Sequence, residues 1–272
     1  MLTYRQKHCL QGIGIRQWVD RSSASQPPID QEPAAEIEAV SEFIKPASIA
    51  IAAPVKAPVS RSGPELEPVA NIIPKIEFNL DSWDNINQSI VQCKNCNLAS
   101  GCTQKVPGVG NRQADLMIIG EGPGQEEDIK GEPFVGRSGV LLDKILHSIG
   151  IARSQVFITN IVKCRPPKNR DPHKDEIKAC DAFLSAQIKQ IAPKVILSVG
   201  RISAHSLLKT SEPVSKWITQ NNQLTELNIP IKVTYHPAYL LRNPSAKAVV
   251  WQDMKLLHQM LNSWVKSIWN QS

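Results

Sequence analysis

Residues 120–128 of the sequence combine glycines, a proline and carboxylates in a pattern that suits ligand binding. The segment contains a Gly-Pro-Gly turn and follows the apolar run 116–119. Glycines let backbone N–H groups approach a ligand closely, because no Cβ atom stands in the way. A short glycine-rich turn is more often only structural. The rest of the chain must therefore decide whether this turn belongs to a site.

The elements that would position this turn follow a regular alternation. The apolar, strand-like runs are 115–119, 156–162, 194–199 and 230–235. The helix-like segments are 79–92, 138–149, 174–191, 201–208 and 246–268. Alternating strands and helices predict a mostly parallel sheet, here four-stranded, with helices on both faces.

Ligands of such sheets bind beyond the carboxyl ends of the strands. Asn160 lies near the end of the second predicted strand, Arg201 follows the third, and His236 follows the fourth. We therefore expect these three residues to meet the turn at one edge of the sheet.

The cysteines predict a metal site. Cys93 and Cys96 form a C-x2-C pair, and fifteen residues separate Cys164 from Cys180. Such a set of thiolates suits zinc or an iron–sulfur cluster, and the spacing leaves both open. Four unconnected buried thiols are the structural alternative. Cys102 competes with the other four as a ligand.

Charge and composition restrict the class of partner. The chain has 31 basic and 25 acidic residues, a net charge of +6 and a pI near 9.0. This balance favours an anionic partner such as nucleic acid. No apolar run reaches the length of a membrane span and no secretory signal is visible, so we expect a soluble, cytoplasmic protein.

The N-terminal part differs in composition from the rest. Residues 1–22 carry an apolar stripe that ends at Trp18, which predicts either a docking peptide or a helix packed on the main domain. Residues 23–78 are rich in proline, alanine, serine and glutamate, and we expect a disordered linker. The catalytic domain would then span 79–272.

Taken in order, the motifs of the chain resemble those of the family 4 uracil-DNA glycosylases. They are Cys93-x2-Cys96, Gly120-Glu121-Gly122-Pro123-Gly124, Pro133-Phe134-Val135-Gly136, Asn160-x3-Cys164-Arg165-Pro166-Pro167, Cys180 and Tyr235-His236-Pro237. The resemblance covers roughly residues 85–262. It implies a monomeric three-layer α/β/α domain that removes uracil from DNA in base-excision repair, with one 4Fe–4S cluster. The cluster ligands would be Cys93, Cys96, Cys164 and Cys180.

The resemblance also implies the residues that bind uracil. They are Glu121, Gly122, Pro123, Gln125, Phe134, Asn160 and His236. An asparagine amide presents both a donor and an acceptor, which matches uracil and opposes cytosine. An aromatic ring stacks on a base, and a histidine N–H can meet negative charge on the departing uracil. Without the resemblance, a core phenylalanine and strand-end polar residues would be the simpler interpretation.

Two carboxylates, Glu121 and Glu127, join His236 as candidate catalytic residues. Either one can stabilise a cationic sugar or orient water, and the resemblance does not select between them. Glu127 has the alternative role of crowding the 5-position of the base and excluding the methyl group of thymine.

DNA contacts are expected from basic side chains around the turn and from one apolar side chain. The candidates are Arg165, Lys168, Arg170, Arg201, Leu240 and Arg242. The run 163–170 is predicted to be an exposed loop near phosphates. Leu240 would wedge into the gap left by a flipped base. The structural alternatives are a solvated charge run and the start of a buried helix.

A second resemblance concerns the N-terminus. Residues 11–18 are similar to the N-terminal segment of the psi subunit of the bacterial clamp loader, which binds the chi subunit. This implies chi as a partner and a place at replication forks in the bacterial nucleoid.

Two other functions remain open. One is a nucleotide-binding α/β enzyme, although the chain lacks the Gly-Lys-Ser/Thr ending of a P-loop. The other is a non-enzymatic DNA-binding module with a metal.

Overall fold

The computed structural model describes residues 78–269 except 219, 221 and 225, with side chains up to residue 263. The predicted docking peptide and nearly all of the predicted linker lie outside the described residues. Phe78 is the exception. Its ring contacts Phe183 with centroids 4.9 Å apart, so the folded domain includes a residue that we had assigned to the linker.

Helices and strands alternate through the described part of the chain. The helices are α1 (Trp83–Gln92), α2 (Leu98–Gly101), α3 (Gln125–Lys130), α4 (Arg137–Ser148), α5 (Lys174–Ile191), α6 (Arg201–Leu208), α7 (Val214–Ile218), α8 (Pro237–Arg242) and α9 (Lys247–Trp269). The strands are β1 (Val109–Gly110), β2 (Leu116–Gly120), β3 (Phe157–Asn160), β4 (Val195–Val199), β5 (Asn222–Leu224) and β6 (Ile229–Thr234). Short 3-10 turns occupy Arg153–Gln155, Pro167–Asn169 and Pro244–Ala246.

The strands form one sheet in the order β1-β3-β2-β4-β6-β5. The inner strands β3, β2, β4 and β6 are parallel and are the four that the sequence predicts. The prediction of a four-stranded sheet is wrong in its count, because β1 and β5 add an antiparallel strand at each edge. These edge strands have two and three residues, too few for an alternating pattern to show in the sequence.

The sheet is buried on both faces, which confirms the three-layer α/β/α arrangement. Every residue of β2 is buried. Leu116 and Ile118 pack with apolar residues of α4 and α9, whereas Met117 and Ile119 pack with those of α5 and α6 on the opposite face. Successive side chains of a strand point to opposite faces, so a continuous apolar run is what a doubly covered strand requires.

Helix α9 covers one face of the sheet through the side chains that its periodicity predicts. Trp251, Met254 and Leu257 are buried in the core. Between them, Asp253 accepts from Thr234 and pairs with Lys232 of β6 at 2.8 Å. A buried charge is tolerated when it is paired and hydrogen-bonded, so this contact fixes α9 to the sheet without an uncompensated charge.

Helix α1 packs on the outer side of α5. Ser82 caps its N-terminus by accepting from the N–H of Asn85, and Ile86 and Ile90 pack against Phe183. The helix ends at Cys93, its C-cap residue. The packing of α1 therefore brings the first cysteine pair close to the helix that carries Cys180.

The register of the parallel strands aligns their carboxyl ends. Gly120 at the end of β2 pairs with Asn160 at the end of β3, and Val199 of β4 pairs with Thr234 of β6. The Gly-Pro-Gly turn, Asn160, Arg201 and the residues after β6 therefore leave the sheet at the same edge, as the topology predicts.

Candidate active site

A cleft of about 410 Å³ lies at this edge of the sheet. The residues that line it come from every inner strand end except that of β4. They are Glu121, Gly122, Pro123, Gly124, Glu127, Phe134, Ser138, Asn160, Pro166, Asn169, Arg170, Asp171, His236, Ala238, Tyr239 and Arg242. The structure thus brings together six of the seven predicted uracil-binding residues. Gln125 is the exception, because it lines a neighbouring surface groove instead.

The floor of the cleft requires a glycine at the end of β2. A Cβ atom on Gly120 would lie 2.4 Å from Oδ1 of Asn160 and 2.7 Å from Cζ of Phe134. Both distances are far inside van der Waals contact. The absence of a side chain at Gly120 therefore allows an amide and an aromatic ring to meet at one point.

Phe134 lies in a strained backbone conformation. Its φ of 53° is in the left-handed region, which costs a non-glycine residue about 1–2 kcal/mol. The carbonyl of Phe134 packs so closely on α4 that a Cβ on Gly139 would lie 1.8 Å from it. Strain of this kind clusters at functional sites. Here it turns the ring into the cleft, where it stacks on His236.

Glu127 holds this strained loop in place. Its Oε1 accepts from the N–H groups of Val135 and Gly136 at 3.0 and 3.1 Å. Its Oε2 accepts from the N–H of Gly124 at 3.1 Å. One buried carboxylate therefore joins the Gly-Pro-Gly turn to the loop that carries Phe134, and both of its oxygens are engaged.

Asn160 is 2 % exposed, and the small exposed part faces the cleft. Its carbonyl oxygen accepts a hydrogen bond from Lys163 at 2.8 Å. Its side chain lines the cleft, and no hydrogen bond between the described residues involves its amide. A buried amide that keeps its donor and acceptor free is available to bind a polar ligand.

The prediction that residues 163–170 form an exposed basic loop is wrong at Lys163. Lys163 does not begin an exposed basic loop, because it is buried and its Nζ donates to Thr159, Asn160 and Gln187. Burial lowers the pKa of Lys163 to about 7. The exposed part of the predicted loop starts only at Pro167.

His236 is a neutral donor in this geometry. Its Nδ1 accepts from the N–H of Ala238 at 3.1 Å, so the neutral ring carries its proton on Nε2. Burial, with a smaller contribution from nearby Arg242, lowers the pKa of His236 to about 4. Gly200 permits the close approach of this residue, because a Cβ there would lie 3.0 Å from the Cβ of His236.

Glu121 is a carboxyl group of the cleft whose pKa lies near neutrality. Burial and the nearby Asp171 raise the pKa of Glu121 and Arg201 opposes them, with a net result of about 7. Asp171 was not among the predicted site residues. Asn160 ends β3, and Asp171 lies eleven positions further along the chain, so the rule that ligands bind at strand ends did not select it.

Three of the four predicted DNA-binding arginines have partners within the protein. Arg170 forms a forked pair with Glu176, with Nη–Oε distances of 2.6 and 2.8 Å, and Arg201 pairs with Asp171. Arg165 donates to Asn169. The remaining two predicted cations are exposed, and they are Lys168 and Arg242.

Leu240 is not placed to enter DNA. It is fully buried in the core beneath α8, because the helix presents this position to the sheet. The side chains on either side, Tyr239 and Leu241, are each 39 % exposed. The structural alternative, a buried helix start, therefore describes Leu240 correctly, and the exposed apolar side chain is its neighbour Leu241.

The cysteines gather on the opposite side of β3 from Phe134. Cys164 and Cys180 are buried in the core on the α5 face, Cys93 lies under α1, and Cys96 and Cys102 are partly buried. Burial raises the pKa of Cys93, Cys96 and Cys164, and that of Cys180 to about 11. All five thiols are free, with no disulfide among the described cysteines.

Cys102 accepts a hydrogen bond from a lysine side chain. Its Sγ accepts from Nζ of Lys105 at 3.1 Å and lies beside Cys164. Lys105 also donates to the carbonyl of Ala99 at 2.9 Å. This lysine places a positive charge next to the group of cysteines, and a positive charge favours the thiolate form.

Comparison with known proteins agrees with this geometry. The sequence model of the Uracil DNA glycosylase superfamily matches residues 107–255. A Type-4 uracil-DNA glycosylase from Saccharolobus solfataricus is 41% identical over 193 residues, which is 68% of this chain and 88% of the relative. One from Thermotoga maritima is 42% identical over 176 residues, or 62% of this chain and 90% of the relative.

Comparison with a more distant, type-5 relative distinguishes between the two types. A Type-5 uracil-DNA glycosylase from Thermus thermophilus is 30% identical over 118 residues, which is 38% of this chain and 53% of that protein. The type-4 relatives match over a longer part of the chain at higher identity. On the family match and these identities, the chain belongs to the type-4 uracil-DNA glycosylases.

Proposed function

We propose that the protein hydrolyses the N-glycosidic bond of deoxyuridine in DNA, releases uracil and leaves an abasic site, the first step of base-excision repair. One observation carries the proposal: the free amide of Asn160, the ring of Phe134 and the neutral imidazole of His236 line one cleft at the strand ends. The family of the chain and its positive net charge agree with it.

Recognition starts with a base that has left the duplex, because a stacked base cannot be reached by the enzyme. In the cleft the Asn160 amide accepts from N3–H of uracil and donates to O4. Cytosine presents the opposite pattern at these atoms and is rejected. The ring of Phe134 stacks on the base, a contact worth about 1–3 kcal/mol.

The bond between N1 and C1′ then breaks, and its electron pair stays on uracil. The developing charge reaches O2, where the Nε2–H of His236 donates to it. A preorganised neutral donor stabilises such charge without needing to reorganise. The sugar becomes an oxocarbenium ion, water adds to C1′, and loss of a proton to solvent completes the abasic site.

The carboxylate that faces the cationic sugar is Glu121. Both oxygens of Glu127 accept backbone hydrogen bonds, which leaves Glu121 as the freer of the two predicted carboxylates. Because burial raises the pKa of Glu121 to about 7, its ionised fraction rises as the pH increases through neutrality. The ionised form is the one that stabilises a cation.

The experiment that tests the function is uracil release. Full-length protein is incubated with a uracil-containing oligonucleotide, without nucleotide, and the abasic sites are then cleaved with alkali. Cleavage at uracil, and none at thymine or cytosine in matched oligonucleotides, is the expected result. DNA binding without base release would support a non-enzymatic module, and dependence on ATP would support a nucleotide-binding enzyme.

We also propose that Cys93, Cys96, Cys164 and Cys180 hold one 4Fe–4S cluster. The donor set is all thiol, which suits such a cluster. Within the described residues, no three cysteine, histidine or acidic side chains are close enough to share one metal ion. The proposal rests on this all-thiol donor set and on the family of the chain.

When bound, the cluster would supply structural cross-links between α1, the end of β3 and α5. Iron and sulfide analysis of protein purified without oxygen is the test. About four irons and four sulfides per chain are expected, with Cys102→Ala retaining them and Cys164→Ala losing them. Stoichiometric zinc in colourless protein would contradict the proposal.

The N-terminal prediction stays a proposal of its own. Residues 1–22 would bind the clamp-loader chi subunit and bring the enzyme to replication forks in a bacterial cytoplasm. Titration of chi with full-length protein and with a deletion of 1–22 tests it, and equal binding by both would exclude it. In the described residues, no helix has the length and apolarity that crossing a membrane requires.

A further inference from the structure

The position of Glu121 is fixed by the backbone around it. It follows β2 directly, and its carbonyl oxygen accepts from the N–H of Val162 at 3.1 Å, which extends the ladder past the end of β3. The side chain of Glu121 lines the cleft. The charged groups next to the Glu121 carboxyl determine its ionisation.

The residue that it meets is Asp171, and Asp171 is itself held in place. Its carbonyl oxygen accepts from Nη1 of Arg170 at 2.9 Å, while the same guanidinium is clamped by Glu176. Glu176 in turn accepts from the N–H of His173 at 2.7 Å. The loop that carries Asp171 is therefore anchored to the start of α5.

The carboxylate of Asp171 also pairs with Arg201, the first residue of α6. Asp171 and Glu121 both line the cleft and interact with each other, and Arg201 is close to both. Two carboxyl groups and one guanidinium from three different elements thus form a cluster at the edge of the cleft.

We propose that Asp171 is a positioning residue for the reaction, which shares a proton with Glu121 across the wall of the cleft, while Arg201 determines how readily that proton leaves. The inference rests on the proposed function, because it concerns the carboxylate that faces the sugar. Two neighbouring carboxyl groups resist being ionised together, and one of them then titrates at a higher pH.

The directions of the electrostatic contributions follow from the cluster. Burial and Asp171 raise the pKa of Glu121, and Arg201 lowers it. The other charged groups that line the cleft are Glu127 of α3, Arg170 before α5 and Arg242 of α8. Arg170 is neutralised by Glu176, so Arg201 is the cation that acts most directly on the pair.

The test uses two variants that should act in opposite directions. The single-turnover rate is measured as a function of pH. Asp171→Asn removes the negative neighbour, so the rising limb of this pH–rate profile should move to lower pH by about half to one unit. Arg201→Gln removes the cation, so the same limb should move to higher pH. Asp181→Asn, an exposed position on α5, is the control and should leave the limb where it is.

Opposite displacements by the two variants support the proposal, since a merely structural role for Asp171 would lower the rate without moving the limb. Identical rate profiles in wild-type protein and Asp171→Asn, together with an unchanged titration of Glu121, would overturn it. A titration of the Glu121 carboxyl carbon by NMR, in the protein without DNA, separates this result from the function. If the titration moves and the rate does not follow, the proton-sharing pair stands and the role of Glu121 in catalysis fails.

Discussion

The ring of Phe134 stacks on the imidazole of His236, with centroids 5.5 Å apart and planes inclined by 29°. One ring comes from the strained loop before α4 and the other from the start of α8. The two rings therefore support each other, and neither is held by its own segment alone.

His236→Ala should slow the chemical step by about 10²–10³-fold, because it removes a donor aimed at charge that exists mainly in the transition state. DNA binding should change only a few-fold. Single-turnover rates and equilibrium titrations measure the two effects, with His258→Ala, an exposed histidine of α9, as the control. A collapse of binding with an unchanged rate would contradict this role.

The charge of His236 gives a separate pH prediction. Since burial lowers its pKa to about 4, the ring stays neutral from alkaline pH down to about pH 5 and gains a proton only below that. Nitrogen chemical shifts of His236 should therefore be constant over that range, with the proton on Nε2. A titration near pH 6.5, the ordinary histidine value, would show that the ring is not buried as described.

Asn160→Asp should weaken uracil recognition, because an ionised carboxylate replaces the amide donor that meets O4. Release of uracil should fall by at least tenfold at pH 8. Release of cytosine should appear only at low pH, where the carboxyl is protonated and can donate. Base release from paired U- and C-containing oligonucleotides measures this, and unchanged discrimination between the two would refute the assignment.

Glu127→Gln should loosen the two loops that the carboxylate joins. An amide in this position cannot accept from three N–H groups at once, so we expect a loss of about 1–3 kcal/mol in unfolding free energy. The uracil-release rate should fall with it. Glu126→Gln is the matched control, because this neighbour is exposed on the first turn of α3. Equal stability of both variants would mean that the joining contact contributes nothing.

Leu241→Ala should lower uracil release from double-stranded DNA more than from single-stranded DNA. An exposed apolar side chain beside the cleft can fill the gap that the flipped base leaves, and a single strand has no such gap. Leu256→Ala, on the exposed face of α9, controls for the loss of surface apolar area. If Leu241→Ala affects both substrates equally, the side chain does not act as a wedge.

The inner sheet and much of the cleft were predictable because they depend on continuous local patterns. Apolar runs such as 116–119 identify doubly covered strands, and the topology of a parallel sheet then brings Asn160 and His236 together. Gly120 fits the same logic, since a glycine at a strand end indicates a close approach.

The remainder depends on contacts between distant segments, which the sequence does not encode locally. The sequence around Lys163 predicts an exposed charge, yet the residue is buried and its three acceptors lie on β3 and α5. Leu240 and Leu241 are indistinguishable in composition, and only the orientation of α8 decides which is buried. Asp171 joins the site because Arg170 and Arg201 fold its loop back onto the cleft.

The three hydrogen bonds of Glu127 also bear on how the enzyme rejects a slightly larger base. They make the Gly-Pro-Gly turn and the Phe134 loop one rigid unit, so the cleft cannot widen by the movement of either segment alone. A hydrogen bond to a charged group contributes about 1.5–3 kcal/mol. Thymine, which is larger than uracil by one methyl group, would have to break such bonds to enter. We expect this stiffness to contribute to discrimination against the normal base.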